Sequence, residues 1–322
     1  MDFVDLIQAN VPLADKNWFG TGGNADYFCQ PANHLEFQEV VAFARKRELP
    51  IFVLGAGANI LISDAGFRGL VIRPQLKNIS FVEEITPGTP GAASVLVTAG
   101  AGVMIDDLII ACLDQHAGGL EEFSGIPGTV GGAVYMNIHY FQFFLSQFIA
   151  HAQVIDVATG ELTRVSGDWF KFGYDYSTLH KKTHYLVEAT FRFKKYTPEE
   201  AAYARGRSIE IIRHRKQRYP YKGTCGSFFR NFAESEVTIE SNGRKMIFVA
   251  YYLDKLGIKG ELARGGACVS YQHANMLVNL GNATSNDIIQ LARAMQELVK
   301  KNYGIMPQPE CQFVGFDKYP LL

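Results

Sequence analysis

Two glycine-rich stretches and two isolated polar residues are where this sequence could do chemistry. The first stretch, Gly118-Gly119-Leu120-Glu121-Glu122-Phe123-Ser124-Gly125-Ile126-Pro127-Gly128-Thr129-Val130-Gly131-Gly132-Ala133, sets glycines among the apolar anchors Leu120, Phe123, Ile126 and Val130. Such a pattern describes a pinned loop whose backbone approaches something closely and uses dihedrals open to glycine. It lacks the Gly-Lys-Ser/Thr ending of a nucleotide P-loop, so what remains is a bare backbone cradle for a flat or phosphorylated cofactor. The second stretch, Ile51-Phe52-Val53-Leu54-Gly55-Ala56-Gly57-Ala58-Asn59, is a strand running into Gly-x-Gly. A dinucleotide-binding turn would start a helix at those glycines. Here Ile60-Leu61-Ile62 and Gly69-Leu70-Val71-Ile72 read as further strands, so the loop is strand-turn-strand and would hold phosphate through successive backbone N–H groups. Ser227 ends the turn Gly223-Thr224-Cys225-Gly226-Ser227 without the Gly-x-Ser-x-Gly elbow of a hydrolase; alone it is a turn former. Glu310, in Gln308-Pro309-Glu310-Cys311, is on its own a strand-edge surface carboxylate.

The elements that must position these residues follow from hydrophobic spacing. Residues 2–10 are expected as a short helix with Phe3, Leu6 and Ile7 on one face, and residues 34–49 as an amphipathic helix with Arg45, Lys46 and Arg47 near its end. A strand and turn over 95–102 lead to a helix over 105–116, whose terminal His116 reads as a capping residue rather than a ligand. Phe141, Phe144 and Phe148 are spaced for one helical face, either core packing or a reshaped pocket or oligomer surface. Residues 185–194 alternate as a half-buried strand. Thr197 and Pro198 then open a helix ending in Arg213, Arg215, Lys216 and Arg218, by default a solvated basic face. Beyond it come a short helix over 249–256, a strand over 276–280 and a helix opened by Thr284-Ser285-Asn286-Asp287 that stops near Gly304. His273, before Ala274-Asn275, reads as a packed histidine.

With 322 residues, 48% of them hydrophobic and 20% charged, the chain has room for two or three domains and shows no compositional disorder. A net charge of -1 without a strong basic cluster excludes a nucleic-acid tracker. The acidic start lacks signal-peptide character, and no apolar run reaches the roughly 20 residues of a membrane span. Cys29, Cys112, Cys225, Cys268 and Cys311 are odd in number and scattered, so buried thiols in a reducing cytoplasm are expected and no metal site.

Six motifs in order extend the reading: Asn17-Trp18-Phe19-Gly20, Leu54-Gly55-Ala56-Gly57-Ala58-Asn59, Gly125-Ile126-Pro127-Gly128-Thr129-Val130-Gly131-Gly132-Ala133, Cys225-Gly226-Ser227-Phe228-Phe229-Arg230-Asn231, Gly265-Gly266-Ala267 and Pro309-Glu310. Together they resemble the UDP-N-acetylenolpyruvoylglucosamine reductase family, in its shorter type, over nearly the whole chain. The resemblance implies an α+β protein with a vanillyl-alcohol-oxidase-type FAD-binding fold. The FAD-binding region would span 1–197, in two subdomains of about 1–75 and 76–197, with a C-terminal α/β substrate domain over 198–322. It also implies noncovalent FAD on Gly55, Ala56, Gly57, Ala58, Asn59 and Ile60 and along Gly125, Ile126, Pro127, Gly128, Thr129, Gly131, Gly132 and Ala133. NADPH would be the reductant and a UDP-linked enolpyruvyl sugar the small-molecule substrate, in a monomer or weak dimer. Ser227 would be the proton donor, Glu310 the second catalytic residue, and Lys216 and Asn231 would bind the substrate diphosphate.

Two departures stand out. After Ala133 the family continues into Gly-Ala-Tyr-Gly, where this chain has the aromatic segment from Tyr140 to Phe148. The family's Phe-Gly-Tyr-Arg-x-Ser becomes Phe172-Gly173-Tyr174-Asp175-Tyr176-Ser177, so Asp175 replaces an arginine implicated in holding the substrate. At about 4 Å and an effective dielectric of about 20, that exchange turns roughly 4 kcal/mol of attraction to a carboxylate into similar repulsion. Either another cation (Lys181, Lys182 or Arg230) takes over, or the substrate differs, or Asp175 turns away from the site. The reductase is the leading reading. Its rivals are a diverged FAD oxidoreductase acting on another unsaturated or UDP-linked substrate, and a flavin-binding protein without turnover.

Overall fold

In a computed structural model, the described residues are 6–85, 93–241 and 243–322. In chain order the N-terminal elements are β1 (Ile7–Pro12), β2 (Asn24–Cys29), α1 (His34–Lys46), β3 (Ile51–Val53), β4 (Ile60–Ile62), β5 (Phe67–Ile72), β6 (Ile79–Ile85) and β7 (Ala93–Gly100). Next come α2 (Ile105–Asp114), β8 (Ala117–Gly118), α3 (Val130–Met136), the hairpin strands β9 (His139–Tyr140) and β10 (Phe143–Phe144), β11 (Ile149–Asp156), β12 (Leu162–Ser166) and β13 (His184–Lys195). The rest is α4 (Pro198–Arg218), β14 (Glu240–Ser241), β15 (Arg244–Lys245), α5 (Val249–Lys255), β16 (Ala263–Arg264), β17 (Ala267–Val269), β18 (Leu277–Asn279), α6 (Ser285–Tyr303) and β19 (Gln312–Val314). This mixture of antiparallel sheets and helices is the α+β class.

The chain forms two compact units, one drawn chiefly from Tyr27–Ala56 and Gly69–Arg215, the other from Asn10–Asp26, Gly57–Arg68 and Lys216–Leu322. In the first unit the strands run β12-β11-β13-β7-β6, with β8 beside β13. The central β13 buries Ala189, Phe191 and Phe193 with α2 and α3 residues such as Leu108, Ile109 and Val134. Leu186 and Thr190 are buried too, so the expected half-buried alternation holds only from Phe191 on. A second core lies under α1, where Phe37, Val40, Val41 and Ala44 fall at the 3–4 spacing of one helix face and meet Leu70 and Ile72 of β5. Asn33 caps this helix through Glu36 N–H. α4 opens with a reciprocal box in which Glu200 N–H donates to Thr197 Oγ1 at 3.2 Å and Thr197 N–H to Glu200 Oε2 at 3.0 Å.

The second unit has one core around Phe228, Phe229, Tyr252, Ile288 and Met295. β4 pairs in parallel with β19, and β16-β17-β18 form an antiparallel sheet beneath α6. Asp64 caps α6, its carboxylate accepting from Ser285 and Asn286 N–H at 2.8 and 3.2 Å, which also places a negative charge at the helix's positive end.

Two sequence expectations are corrected. The helix over 2–10 is strand β1 from Ile7 on, and its start, residues 1–5, lies outside the described residues. Phe141, Phe144 and Phe148 do not share a helix: Phe141 sits at the tip of the β9–β10 hairpin with φ 52° and 71% of its surface exposed. Phe148, by contrast, packs against Phe123 and Phe193. A 3–4 spacing also fits a hairpin when a residue in the left-handed region turns the chain between two short strands.

Candidate active site

In the first unit the loop before α3 is fixed by its own backbone. Ile105 N–H donates to Gly128 O at 3.0 Å, Val130 N–H to Val103 O at 2.8 Å and Gly131 N–H to Ala101 O at 2.9 Å. Gly125, with φ 74°, donates to Asp106 Oδ1 at 2.9 Å and accepts from Arg215 Nε at 3.2 Å. Arg215 also lies over the Tyr140 ring, 5.8 Å from its centroid. Thr129 caps α3 by accepting from Gly132 N–H at 3.3 Å. Gly55 belongs to the same cluster, since a Cβ there would stand 2.6 Å from Thr129 Oγ1. At Gly128 the reverse holds: an added Cβ meets nothing within 4 Å, and the Cα faces open space. A glycine kept where a side chain would fit is what a backbone cradle for a ligand requires.

In the second unit three segments distant in sequence lie side by side. Asn59 follows the tight turn at Gly57, whose φ is 70° and whose Cβ would strike Asn17 Cα at 2.7 Å. Asn59 O accepts from Gln312 N–H at 3.0 Å, and Asn59 Nδ2 donates to Glu310 O at 3.3 Å. Glu310 N–H in turn donates to Phe228 O at 2.9 Å, next to Ser227, and Arg230 N–H donates to Gln308 O at 2.9 Å. Phe229 is therefore opposite Pro309 in a non-hydrogen-bonded antiparallel position. Proline's missing N–H costs nothing there, because that position points away from the partner strand. Asn59 Oδ1 is buried and accepts no hydrogen bond from the described residues. A buried acceptor of this kind calls for a donor, and FAD would offer ribityl and ribose hydroxyls and a ring N–H.

The sequence-predicted residues thus fall into groups. Gly55 and Ala56 share a unit with Gly125, Ile126, Pro127, Gly128, Thr129, Gly131, Gly132 and Ala133, while Gly57, Ala58, Asn59 and Ile60 share the other with Ser227, Asn231 and Glu310. Ser227, Asn231 and Glu310 are half-buried, whereas Lys216 is exposed near the end of α4. Asp175, at φ 51° in a turn where Gly173 N–H donates to Tyr176 O at 3.0 Å, lies 3.5 Å from His139 Nδ1. The His139 ring is tilted against Tyr174 at 4.5 Å and stacked on Phe144 at 5.2 Å, and burial holds its pKa below the usual imidazole value. Arg230 forms a two-pronged pair with Glu236, 2.9 Å on both arms, and holds that carboxyl below its usual range. Cys225 and Cys311 flank the site as buried thiols, and burial pushes Cys311 well above the ordinary thiol range, with the Cys225 thiol adding to it. Arg215, read from the sequence as part of a solvated basic face, is half-buried on Gly125, the buried Asn275 has no role in that reading, and their hydrogen bonds to Gly125 and to Phe228 and Phe229 have no local signature.

Comparison with known proteins bears on the family. A family model described as UDP-N-acetylenolpyruvoylglucosamine reductase, C-terminal domain, matches residues 217–314, and one described as FAD binding domain matches residues 25–166. A UDP-N-acetylenolpyruvoylglucosamine reductase of Synechococcus sp. (strain JA-3-3Ab) is 33% identical over 98% of this chain and 94% of its own length. One from Listeria monocytogenes serotype 4a (strain HCC23) is 30% identical over 97% and 96%. The crystal structure of UDP-N-acetylenolpyruvylglucosamine reductase from Thermus caldophilus superposes with a TM-score of 0.72 at 26% identity, covering 94% of this chain and 97% of that one. With two relatives at this identity aligned along nearly their full length, the chain belongs to the UDP-N-acetylenolpyruvoylglucosamine reductase family.

Proposed function

We propose that this chain is an FAD-dependent oxidoreductase that uses NADPH to reduce UDP-N-acetylglucosamine enolpyruvate to UDP-N-acetylmuramate, a step of peptidoglycan-precursor synthesis in the cytoplasm. The observation that carries it is the run of hydrogen bonds from Asn59 through Glu310 to Phe228, next to Ser227. The residues that would hold the cofactor are Gly55 to Ile60 and Gly125 to Ala133; the open space at Gly128 and the buried acceptor Asn59 Oδ1 fit such a group. When bound, FAD supplies hydride to one carbon of the enolpyruvyl double bond. Ser227 Oγ–H delivers a proton to the neighbouring carbon, where negative charge would otherwise accumulate. A serine hydroxyl is a weak acid, so its delivery depends on a fixed position and on nearby polar support, which Glu310 would provide from the adjoining segment. Lys216 and Asn231 would bind the substrate diphosphate, a point charge and an amide donor suiting its oxygens.

A diverged substrate is the second reading, and Asp175 favours it, because its partner is His139 where an arginine would have met a carboxylate. One experiment separates the two. The protein is reduced anaerobically with NADPH, mixed with UDP-N-acetylglucosamine enolpyruvate, and followed by the return of oxidised-flavin absorbance. Rapid reoxidation supports the reductase. A flavin that reduces and stays reduced supports another substrate. In Ser227→Ala, reduction by NADPH should match the parent while reoxidation by substrate slows; equal loss in both halves would remove Ser227 from the role given to it.

A further inference from the structure

The extended segment that follows Ser227 is held on its second edge by one buried side chain. Asn275 is 3% exposed, and a primary amide at that depth needs partners for both its ends. Both partners belong to a single residue: Phe229 N–H donates to Asn275 Oδ1 at 3.1 Å, and Asn275 Nδ2 donates to Phe229 O at 2.7 Å. The amide therefore imitates the two-bond pairing of an antiparallel strand. Its backbone adds a third bond, since Phe228 N–H donates to Asn275 O at 2.8 Å. On the opposite edge Phe228 O and Arg230 N–H are taken by Glu310 and Gln308. The two residues after Ser227 are thus fixed from both sides, while Gly226 before it has φ 80° and, with nothing within 4 Å of an added Cβ, open space around it. Rigid backbone on one side and an adaptable glycine on the other leave the Phe228–Phe229 anchor to set where the serine stands. Asn275 is itself oriented: its N–H donates to His273 Nδ1 at 3.3 Å, and burial keeps that imidazole neutral, so the nitrogen can accept.

We propose that Asn275 is a positioning residue that fixes the Ser227 hydroxyl for proton delivery to the substrate carbon. The role rests on Ser227 being the proton donor. Asn275→Asp keeps the shape and an acceptor for Phe229 N–H but turns the other arm from donor to acceptor against Phe229 O. In the FAD-loaded full chain, reoxidation of reduced flavin by UDP-N-acetylglucosamine enolpyruvate should slow roughly 10- to 100-fold, the effect of an ångström-scale misplacement. Flavin content, flavin reduction by NADPH and the substrate KM should stay at parent values. Asn275→Ser, which retains one hydrogen-bonding group, should fall between. In Ser227→Ala the same Asn275→Asp change should slow reoxidation no further, because the group being positioned is gone. If Asn275→Asp slows the Ser227→Ala protein by as much as it slows the parent, or leaves the parent unslowed while Ser227→Ala is slow, the positioning role is overturned and the proton-donor reading survives. A parent-like Ser227→Ala overturns both. Loss of flavin or of fold in both Asn275 variants overturns the role in favour of a purely structural amide.

Discussion

Replacing Gly128 with alanine should separate a loop shaped for a ligand from one shaped only for itself. A Cβ at Gly128 meets nothing within 4 Å, and Gly128 is absent from the positive-φ glycines, so alanine suits the backbone. The flavin-free protein should keep its stability or gain about 0.4–1 kcal/mol through the stiffer unfolded chain. FAD affinity should fall, because the methyl enters the space the ligand needs. Overpacking of about 1–3 kcal/mol corresponds to roughly a 5- to 150-fold rise in Kd. Gly55→Ala is the control with the opposite pattern. Its Cβ would lie 2.6 Å from Thr129 Oγ1, the oxygen that accepts from Gly132 N–H to cap α3. Either the cap is lost or the loop shifts, and roughly 1–3 kcal/mol of stability goes before any ligand is present. Thermal melts of flavin-free protein and FAD titrations by fluorescence quenching measure both quantities on both variants. A Gly128→Ala protein that binds FAD with the parent Kd refutes the cradle, and a Gly55→Ala protein that melts with the parent refutes the steric account of the Gly55 loop.

Two further outcomes follow from groups near the site. Burial pushes the His273 pKa down to about 4, whereas the unfolded chain binds that proton near pH 6.5; stability should drop as pH falls between those values, by at most roughly 3 kcal/mol. His273→Gln should lose that part of the acid sensitivity, and urea melts on either side of the window would show it by a shallower pH slope. Gly265→Ala should destabilise by roughly 2–3 kcal/mol, because it combines left-handed strain with the loss of a helix cap. Gly265 has φ 51° and its Cβ would come within 2.2 Å of Asp287 Oδ1, part of the α6 capping box, so an unchanged melting temperature would contradict the packing described.

Where sequence reading succeeded, the signal was local. Phe37, Val40, Val41 and Ala44 announce α1 by spacing alone, and Thr284 with Asp287 announces the start of α6 because a cap is a short-range hydrogen bond. The strand-turn-strand character of the Gly55 loop was legible for a like reason: Ile60 to Ile62 could only continue as a strand. The aromatic hairpin was not, because an L-residue as large as Phe141 at positive φ is a choice imposed by its surroundings. Asn137 supplies part of that frame, since its Oδ1 accepts from Ser146 N–H at 3.0 Å and its Nδ2 donates to Gly173 O at 2.9 Å. The pairs that define the candidate site, Asn59 with Glu310 and Asn275 with Phe229, join residues far apart in the chain through amides that have no periodicity. Helical and strand periods report burial, and burial says nothing about which amide meets which carbonyl.

If Asp175 stands at the substrate, as the proposed reading has it, its charge would decide what the site can take. Reduction of an enolpyruvyl group places negative charge beside a carboxylate, so a retained substrate needs a cation nearby. His139 does not supply one readily: burial disfavours its protonated form, and the carboxylate at 3.5 Å is only partial compensation. Arg230, the candidate on the segment after Ser227, already spends both arms of its guanidinium on Glu236. Freeing it would strand a partly buried carboxylate, so it is poorly placed to turn toward a substrate. On the proposed reading the UDP-enolpyruvyl sugar would require a cation other than these two, whereas a substrate without a free carboxylate would require none. Reoxidation by the enolpyruvyl sugar thus tests more than a substrate name: if it is fast, a positive group outside the His139–Asp175 and Arg230–Glu236 pairs must serve the carboxylate.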